Sequence, residues 1–378
     1  MKFNKFSIGI GLVVAVIILF NVRAGRVDLD DMALLVQRNS SQFALEKASK
    51  TISSNLSFGD EKRLSILAFG DVMFGRYVRV LMDENGHDYP FEKLGDLNDI
   101  FEEDEDIIFA NLEGPIKGEG IKSEVSMMFG FPEYTADLLK EKGFDVLSLA
   151  NNHSSNMGDS GYDSTKKLLD DREIGHCGKP EGVSGDSVYY GHSGAFAEDE
   201  SSAATYAFIC LHSAISPLDL DEALKLIDDV RPNIDFLIVS IHWGSEYQHK
   251  PNEKIQVAVG HAFIDHGADL VIGHHPHVVQ PFEIYKDRFI FYSLGNFIFD
   301  QYWSADTQKE LAAGIILQKN GENFSSSAQL IPMLSVRSQP RLLTKEEFDT
   351  WAKEFIGYGN FSEDIQKQIT EGLVKINP

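Results

Sequence analysis

The amino-acid sequence predicts an α/β fold, and two observations carry that prediction. From Leu64 onward, short apolar runs alternate with segments of helical periodicity, which is the pattern of a sheet whose strands are connected by helices. Hydrophobic residues make up 43% of the chain and charged residues 24%, a composition that can fill a globular core. The length of 378 residues suits one large domain with extensions, or two modest domains.

The first 26 residues have the pattern of an export segment. Two lysines precede the apolar run Phe6–Phe20, which is shorter than the ~20 residues that comfortably span a bilayer. Val22 and Ala24 fit the small residues before a signal-peptide cleavage site, whereas Arg23 favours an uncleaved signal-anchor. Both interpretations export the rest of the chain. We therefore expect a single-pass protein of the cell membrane whose main domain is extracytoplasmic.

The remaining segments follow from composition and periodicity. Residues 27–60 are polar and predict a stalk, residues 61–320 form the main domain, and residues 321–378, where periodicity weakens, form a C-terminal extension. Seven apolar runs predict strands: Leu64–Phe69, Ile107–Leu112, Phe144–Ala150, Tyr206–Cys210, Phe236–Ile241, Leu270–Ile272 and Phe289–Leu294. Helices are predicted over Tyr134–Lys142, Ser160–Asp171, Leu220–Val230, Asn252–Asp265 and Lys345–Phe355. Phe282–Leu294 has the pattern of a hairpin, and Tyr189–Ser202 that of a loop.

The net charge and the cysteine content limit the classes of partner and of site that the chain can have. The net charge of −24 excludes a nucleic-acid partner, because a phosphate backbone requires a face rich in lysine and arginine. Any phosphate or polyanion must therefore be bound locally, by metal ions or by a few cationic side chains. Cys177 and Cys210 are too few for a disulfide framework and lack the CxxC spacing of zinc or redox sites. They form either one bridge or two buried thiols.

Polar side chains follow the apolar runs at the points where the predicted strands end. Because the carboxyl ends of parallel strands meet in one crevice, residues distant in sequence can converge there. Each residue by itself has a structural interpretation, such as a helix cap for an aspartate or a hydrogen-bonded core residue for a histidine. The residues in question are Asp71, Glu113, Asn152, His153, His242, His275 and His277.

Taken together, this set indicates a metal centre. Two carboxylates, one amide and three imidazoles form a mixed nitrogen and oxygen donor set, which suits Mn, Fe or Zn. Two divalent ions about 3.5–4 Å apart would activate a water molecule and hold both oxygens of an in-line phosphoryl displacement. His153 adjoins a ligand without being needed as one, so it is suited to protonate a leaving oxygen.

At these residues the sequence resembles the bacterial poly-γ-glutamate capsule-synthesis (CapA-like) family, a branch of the calcineurin-like metallophosphoesterase superfamily. The motifs that carry the resemblance are GDVMFGR (70–76), NLEGPI (111–116), SLANNH (148–153), HWGSEY (242–247), GADLVIGHHPHVVQ (267–280) and YSLGNFIFDQ (292–301). The resemblance implies a four-layer α-β-β-α sandwich. It also implies metal ligation by Asp71, Glu113, Asn152, His242, His275 and His277, and catalysis by His153.

Three residues depart from the wider superfamily pattern. Met73 stands where a histidine ligand usually follows the first aspartate, so one metal would lack a ligand. Glu113 replaces an aspartate. Ser154 replaces the aspartate that orients the catalytic histidine, a task that Glu246 or Asp159 would then take.

Arg76 and Glu246 match further positions of the family motifs, where they either contact substrate or form structural salt bridges. The resemblance implies a metal-dependent hydrolase or transferase that acts in the biosynthesis, export or anchoring of poly-γ-glutamate or a similar anionic polymer. Its expected partners are the membrane, the polymer and subunits of a polymer synthase. Two alternatives stay open: a general extracytoplasmic metallophosphatase, and a non-catalytic, metal-stabilised accessory subunit of the synthase.

Overall fold

Two β-sheets form the centre of the protein in a computed structural model that describes residues 61–103, 105–193 and 203–376. The nine-stranded sheet has the order β14-β13-β12-β1-β2-β3-β4, with β11 beside β1 and β15 beside β13. Its strands are β1 (Glu61–Val72), β2 (Ile107–Leu112), β3 (Val146–Ser148), β4 (Gly175–Cys177), β11 (Asn296–Ile298), β12 (Lys309–Asn320), β13 (Asn323–Val336), β14 (Gln339–Leu342) and β15 (Leu373–Ile376).

The second sheet has six strands in the order β5-β6-β7-β8-β10-β9. They are β5 (Val188–His192), β6 (Thr205–His212), β7 (Phe236–His242), β8 (Leu270–His274), β9 (Phe282–Tyr285) and β10 (Arg288–Phe291). Strands β1 to β4 run parallel in the first sheet, and β6, β7, β8 and β10 run parallel in the second. The carboxyl ends of both parallel sets therefore supply the loops that build the site.

Seven α-helices are found in the described residues. They are α1 (Arg76–Asn85), α2 (Tyr134–Glu141), α3 (Gly158–Asp170), α4 (Leu220–Val230), α5 (Ala258–Asp265), α6 (Lys345–Tyr358) and α7 (Glu363–Glu371). Within this described part of the chain, no helix has both the length and the apolar composition to cross a bilayer. The predicted export segment and stalk, residues 1–60, lie outside the described residues.

Three clusters of buried side chains hold these elements together. One lies between the two sheets and includes Phe109 from the first sheet and Phe208 from the second, whose rings stack 4.9 Å apart. The second packs α1 and α2 on the outer face of the nine-stranded sheet, and the third packs α4 and α5 on the outer face of the six-stranded sheet. The layers are thus helix, sheet, sheet and helix, and the predicted α/β fold is confirmed.

The residues that sequence periodicity set apart as a C-terminal extension belong to the same sheet. β13 pairs with β12 over 12 residue pairs, and β15 pairs with β13. Trp351 and Phe355 of α6 are buried in the cluster between the sheets. The weak periodicity after residue 320 therefore concealed a 14-residue strand, in which buried and partly exposed positions alternate over much of its length.

The structure decides three further predictions, which concern the hairpin, the loop and the two cysteines. The predicted hairpin forms, with β9 and β10 joined through Lys286 and Asp287, which both have positive φ as a tight turn requires. The predicted loop at 189–202 is wrong for its first residues, because β5 covers Val188–His192 as an edge strand against β6. Cys177 at the end of β4 and Cys210 in β6 form a disulfide that connects the two sheets.

Candidate metal centre

The predicted site residues converge at the carboxyl ends of the parallel strands. Asp71 is the penultimate residue of β1, Glu113 follows β2, and Asn152 and His153 follow β3. From the other sheet, β7 ends at His242, and β8 is followed by the turn that carries His275 and His277. The structure therefore brings together, across the two facing sheets, residues that are up to 206 positions apart in the chain.

Asp71 is fully buried and surrounded by donors. Its Oδ1 accepts a hydrogen bond from Asn111 Nδ2 at 2.8 Å, and its Oδ2 accepts one from the backbone N–H of His275 at 3.2 Å. Burial by itself would raise the pKa of Asp71, but the hydrogen bond and charge of His274 and the charge of His277 outweigh it, so the pKa is lowered. Asp71 is thus held as a carboxylate inside the protein.

Glu113 is the most informative side chain of the site. It is fully buried, and neither carboxylate oxygen has a hydrogen-bond partner among the described residues. Burial, together with the charges of Asp71 and Glu246, raises its pKa well above the usual value. A buried carboxylate without partners is costly, and a bound cation removes that cost. The donor set of the site therefore fits a metal ion.

Two groups of three side chains have the spacing of metal ligands. The first, called triad A here, consists of Asp71, Glu113 and His242; the second, triad B, consists of Glu246, His275 and His277. Within each triad, the candidate ligand atoms lie within 4.8 Å of one another.

The two triads are direct neighbours. His275 Nδ1 lies 3.1 Å from His242 Nε2, and His277 Nε2 lies 3.8 Å from Glu113 Oε1. Asn152 Oδ1 lies 2.8 Å from His242 Nε2, next to triad A. The Glu113 carboxylate of triad A thus lies beside a histidine of triad B, an arrangement that suits a pair of neighbouring divalent ions.

Two candidate ligands of the site, His242 and His275, are held in the neutral form that metal ligation requires. Burial, followed by the charges of neighbouring histidines, lowers the pKa of His242 well below its usual value. The same causes lower the pKa of His275 to about 3. Both His275 and His277 have positive φ, of 97° and 55°, a conformation that costs energy outside glycine and often marks functional sites.

His153 lies at the wall of a pocket beside the triads. Its Nε2 is 3.7 Å from Glu113 Oε1, and its ring stacks on Phe129 at 3.9 Å between centroids. Its Nδ1 donates to Asn156 Oδ1 at 2.9 Å. The acceptor is the amide oxygen because the same atom also accepts from the backbone N–H of Phe129 at 2.6 Å. Burial lowers the pKa of His153 to about 4.

Asn156 therefore takes the orienting task for which the sequence suggested Glu246 or Asp159. Asp159 is exposed in the first turn of α3. Ser154, which replaces the usual aspartate, instead donates to Asn151 Oδ1 at 2.9 Å. Sequence reasoning missed Asn156 because it looked for a carboxylate.

Three other asparagines were also missed. Asn111 donates to Asp71, Asn151 donates to Asn111 Oδ1 at 3.1 Å, and Asn296 Oδ1 lies 2.9 Å from His277 Nδ1. All three lie inside the motifs that carry the family resemblance, which was the available signal. They fix the orientation of the predicted ligands, a role that supporting hydrogen bonds commonly have at metal sites.

Arg76 is paired rather than free. Its guanidinium forms an ion pair with Asp300 and lies over the rings of Phe129 and Phe299, at 4.9 and 5.4 Å from their centroids. Of the two alternatives for Arg76, the salt bridge is present in the structure. Arg76 nevertheless lines the same pocket of about 320 Å³ as His153, Glu246 and His277.

Met73 does not take part in the triads. It is fully buried among the apolar side chains outside the nine-stranded sheet, and its Sδ accepts a hydrogen bond from Gly75 N at 2.9 Å. The position from which a histidine would usually reach a metal is therefore used for packing.

Comparison with known proteins agrees with this reading of the motifs. Residues 65–301 match the model of a family described as bacterial capsule synthesis protein PGA_cap. The chain belongs to this family. The capsule-synthesis relatives include the capsule biosynthesis protein CapA of Bacillus anthracis, 31% identical over 75% of this chain and 71% of that protein. The PGA biosynthesis protein CapA of Bacillus subtilis is 30% identical over 74% of each chain.

A probable polyglutamine synthesis accessory protein of Mycobacterium tuberculosis matches over a shorter stretch, with 34% identity over 36% of each chain. The family predicted from the motifs is thus confirmed, and the matched residues contain every predicted ligand as well as His153.

Proposed function

We propose that this protein is a metal-dependent hydrolase or transferase that acts on a phosphoester or related acyl bond during the synthesis, export or anchoring of poly-γ-glutamate or a similar anionic polymer. The observation that carries the proposal is Glu113, a buried carboxylate of triad A that has no hydrogen-bond partner among the described residues and lies beside triad B. The names of the two Bacillus relatives support the polymer context.

The chemistry follows from the positions of the side chains. Bound divalent ions would supply Lewis acidity and an activated water. Asp71, Glu113, Asn152, His242, His275 and His277 would hold those ions. His153 keeps its Nδ1 proton on Asn156 Oδ1, so its unprotonated Nε2 faces the pocket, where it can accept a proton from the attacking water and pass it to a leaving oxygen. The ring of Phe129 stacks on the His153 ring and helps to hold its orientation.

The proposed location is the outer side of the cell membrane, with the run Phe6–Phe20 as anchor or signal. The Cys177–Cys210 disulfide supports this location, since structural disulfides persist in oxidising compartments.

A second proposed function is that of a metal-stabilised accessory subunit without turnover of its own. Two observations favour it: Met73 removes a usual ligand, and the mycobacterial relative is named an accessory protein.

The test is metal analysis of the purified full-length chain, followed by a screen of phosphomonoesters, phosphodiesters and γ-glutamyl amides. Metal binding together with turnover of one substrate class supports the enzyme. Metal binding without turnover supports the accessory subunit. A chain that binds no divalent ion under any loading condition would refute both proposals.

A further inference from the structure

We infer that Glu246 is a metal ligand, and that it replaces, from the opposite sheet, the ligand that Met73 no longer supplies. This inference rests on the proposed function, since it concerns the same metal centre. It differs from the substrate contact that the sequence suggested for Glu246. The carboxylate of Glu246 lies within 4.8 Å of the candidate ligand nitrogens of both His275 and His277.

Triad B needs an anionic ligand. Without Glu246 it contains only two imidazoles, which supply no negative charge, and the two carboxylates Asp71 and Glu113 belong to triad A. Two divalent ions repel each other, so a site with one charged side and one neutral side would bind the second ion weakly. A carboxylate from Glu246 gives each triad at least one negative charge, and Glu113 of triad A lies beside His277 of triad B.

The loop that carries Glu246 is fixed to the histidine turn by backbone hydrogen bonds. Trp243 N donates to His274 O at 3.0 Å, and Tyr247 N donates to Pro276 O at 2.8 Å. Glu246 thus lies between two residues whose backbones are tied to the segment that carries His275 and His277.

Two further features hold the same loop in place. The side chain of Gln280 donates to Gln248 O at 2.7 Å, and the ring of Tyr247 stacks on that of His277. Tyr247 has a φ of 63°, which is unfavourable for a bulky residue. If the Glu246 carboxylate only faced solvent, its loop would not need this conformation or these contacts.

Met73 and Glu246 are complementary in this interpretation. The side chain of Met73 is committed to packing, with its Sδ bonded to Gly75 N. The ligand therefore comes from the loop after β7 instead of the loop after β1. The cost is exposure, because Glu246 lies at the open side of the pocket, where water competes for the ion. We expect the ion of triad B to be the more weakly bound of the two.

The test compares metal content in three full-length variants. Glu246→Gln keeps the size of the side chain and removes the charge; Glu246→His restores a ligand atom. Glu124→Gln is the matched control, because Glu124 is an exposed carboxylate that lines the same pocket outside both triads. Metal per chain is measured by mass spectrometry after loading with Mn²⁺ or Zn²⁺, and the affinity of each site by titration with a competing chelator.

We expect Glu246→Gln to lose one ion, or to bind it at least ~10-fold more weakly, a loss no smaller than that caused by removing a residue that only orients a ligand. Glu124→Gln should match the wild type, and Glu246→His should recover the second ion. Equal melting temperatures in excess chelator establish that the variants fold. If Glu246→Gln keeps the wild-type stoichiometry and affinity, the inference is wrong, while the proposed function stands. If the wild type binds no metal, both are wrong.

Discussion

At the scale of single residues, four asparagines hold the candidate centre in place. Asn111, Asn151, Asn156 and Asn296 form hydrogen bonds to one another or to the carboxylate and imidazole groups of the site. An amide can donate and accept at once, so it can join a carboxylate to an imidazole without adding charge. This neutral scaffold leaves the negative charge of the candidate centre to its carboxylates.

The role of His153 gives the first residue-scale prediction. His153→Ala should retain the metal and the fold and lose about 10²–10⁴-fold in turnover, because His153 contacts neither triad as a ligand and general acid–base groups contribute on that order. The deciding measurement is turnover per mole of metal-loaded protein. Near wild-type turnover would refute the proton-transfer role and favour the accessory subunit.

Asn152→Ala is the matched comparison for His153→Ala. Its Oδ1 lies 2.8 Å from His242 Nε2, so its removal should weaken metal binding and activity together. If His153 only stabilises its loop through Asn156, its loss would instead cost about 1 kcal/mol of folding free energy and leave turnover per folded molecule unchanged.

At the scale of secondary-structure elements, the disulfide is the clearest cross-link in the fold. It joins β4, at the edge of the parallel half of the first sheet, to β6 in the second sheet. The two cysteines are 33 positions apart in the sequence. The chain between them contains β5 and residues 194–202. The bond therefore lowers the conformational entropy of this stretch in the unfolded state.

We expect Cys177→Ala with Cys210→Ala to lower the free energy of unfolding by about 2–4 kcal/mol, the usual range for a cross-link of this kind. Urea unfolding of the variant and of the wild type, with and without reductant, measures the difference. The reduced wild type should resemble the variant. Two thiols that react with an alkylating agent in the unreduced, denatured wild type would show that the bond does not form.

The elements differ in how well the sequence predicted them. Each of the seven apolar runs overlaps a strand, because strands buried on both faces are continuous apolar runs, although β3 covers only three residues of the run Phe144–Ala150. The strands outside these runs and the hairpin were missed, and β13 and β5 show a reason: each has a partly exposed face, and β13 contains polar residues such as Ser325 and Ser327. Their place in a sheet is decided by the neighbouring strand and not by local composition.

At the scale of the whole molecule, the location of the protein in the cell can be tested directly. We expect the 61–376 region to lie outside the cytoplasm, because the predicted export segment precedes it in the chain. Protease added to intact cells, after permeabilisation of an outer membrane if one is present, should degrade it. A cytoplasmic marker that survives the same treatment is the control, and protection of the domain until the cells are lysed would contradict the expected location.

The net charge of −24 also acts at this scale. It keeps anionic polymers away from most of the surface, so a polyanion would be bound only where metal ions reverse the local sign. Under the proposed function the pocket beside the triads would be such a place, because its carboxylates Glu124, Glu246 and Asp300 outnumber its one arginine until metal binds.

The sequence by itself determined the family, the α/β class and the residues that converge. Each of Asp71, Glu113, His242 and His275 follows a run apolar enough to be recognised as a strand, and parallel strands carry such residues to one edge. The motifs around them are local in the chain, and local patterns can be read without knowledge of the fold.

Only the tertiary structure decided how those residues are grouped. It assigned Glu246 to the same triad as His275 and His277, gave His153 its partner Asn156, and paired Arg76 with Asp300. Each of these contacts depends on the conformation of a loop or on how the two sheets pack against each other. Distances between side chains on different strands or loops are set by the packing of the whole domain, which no single segment of the sequence encodes.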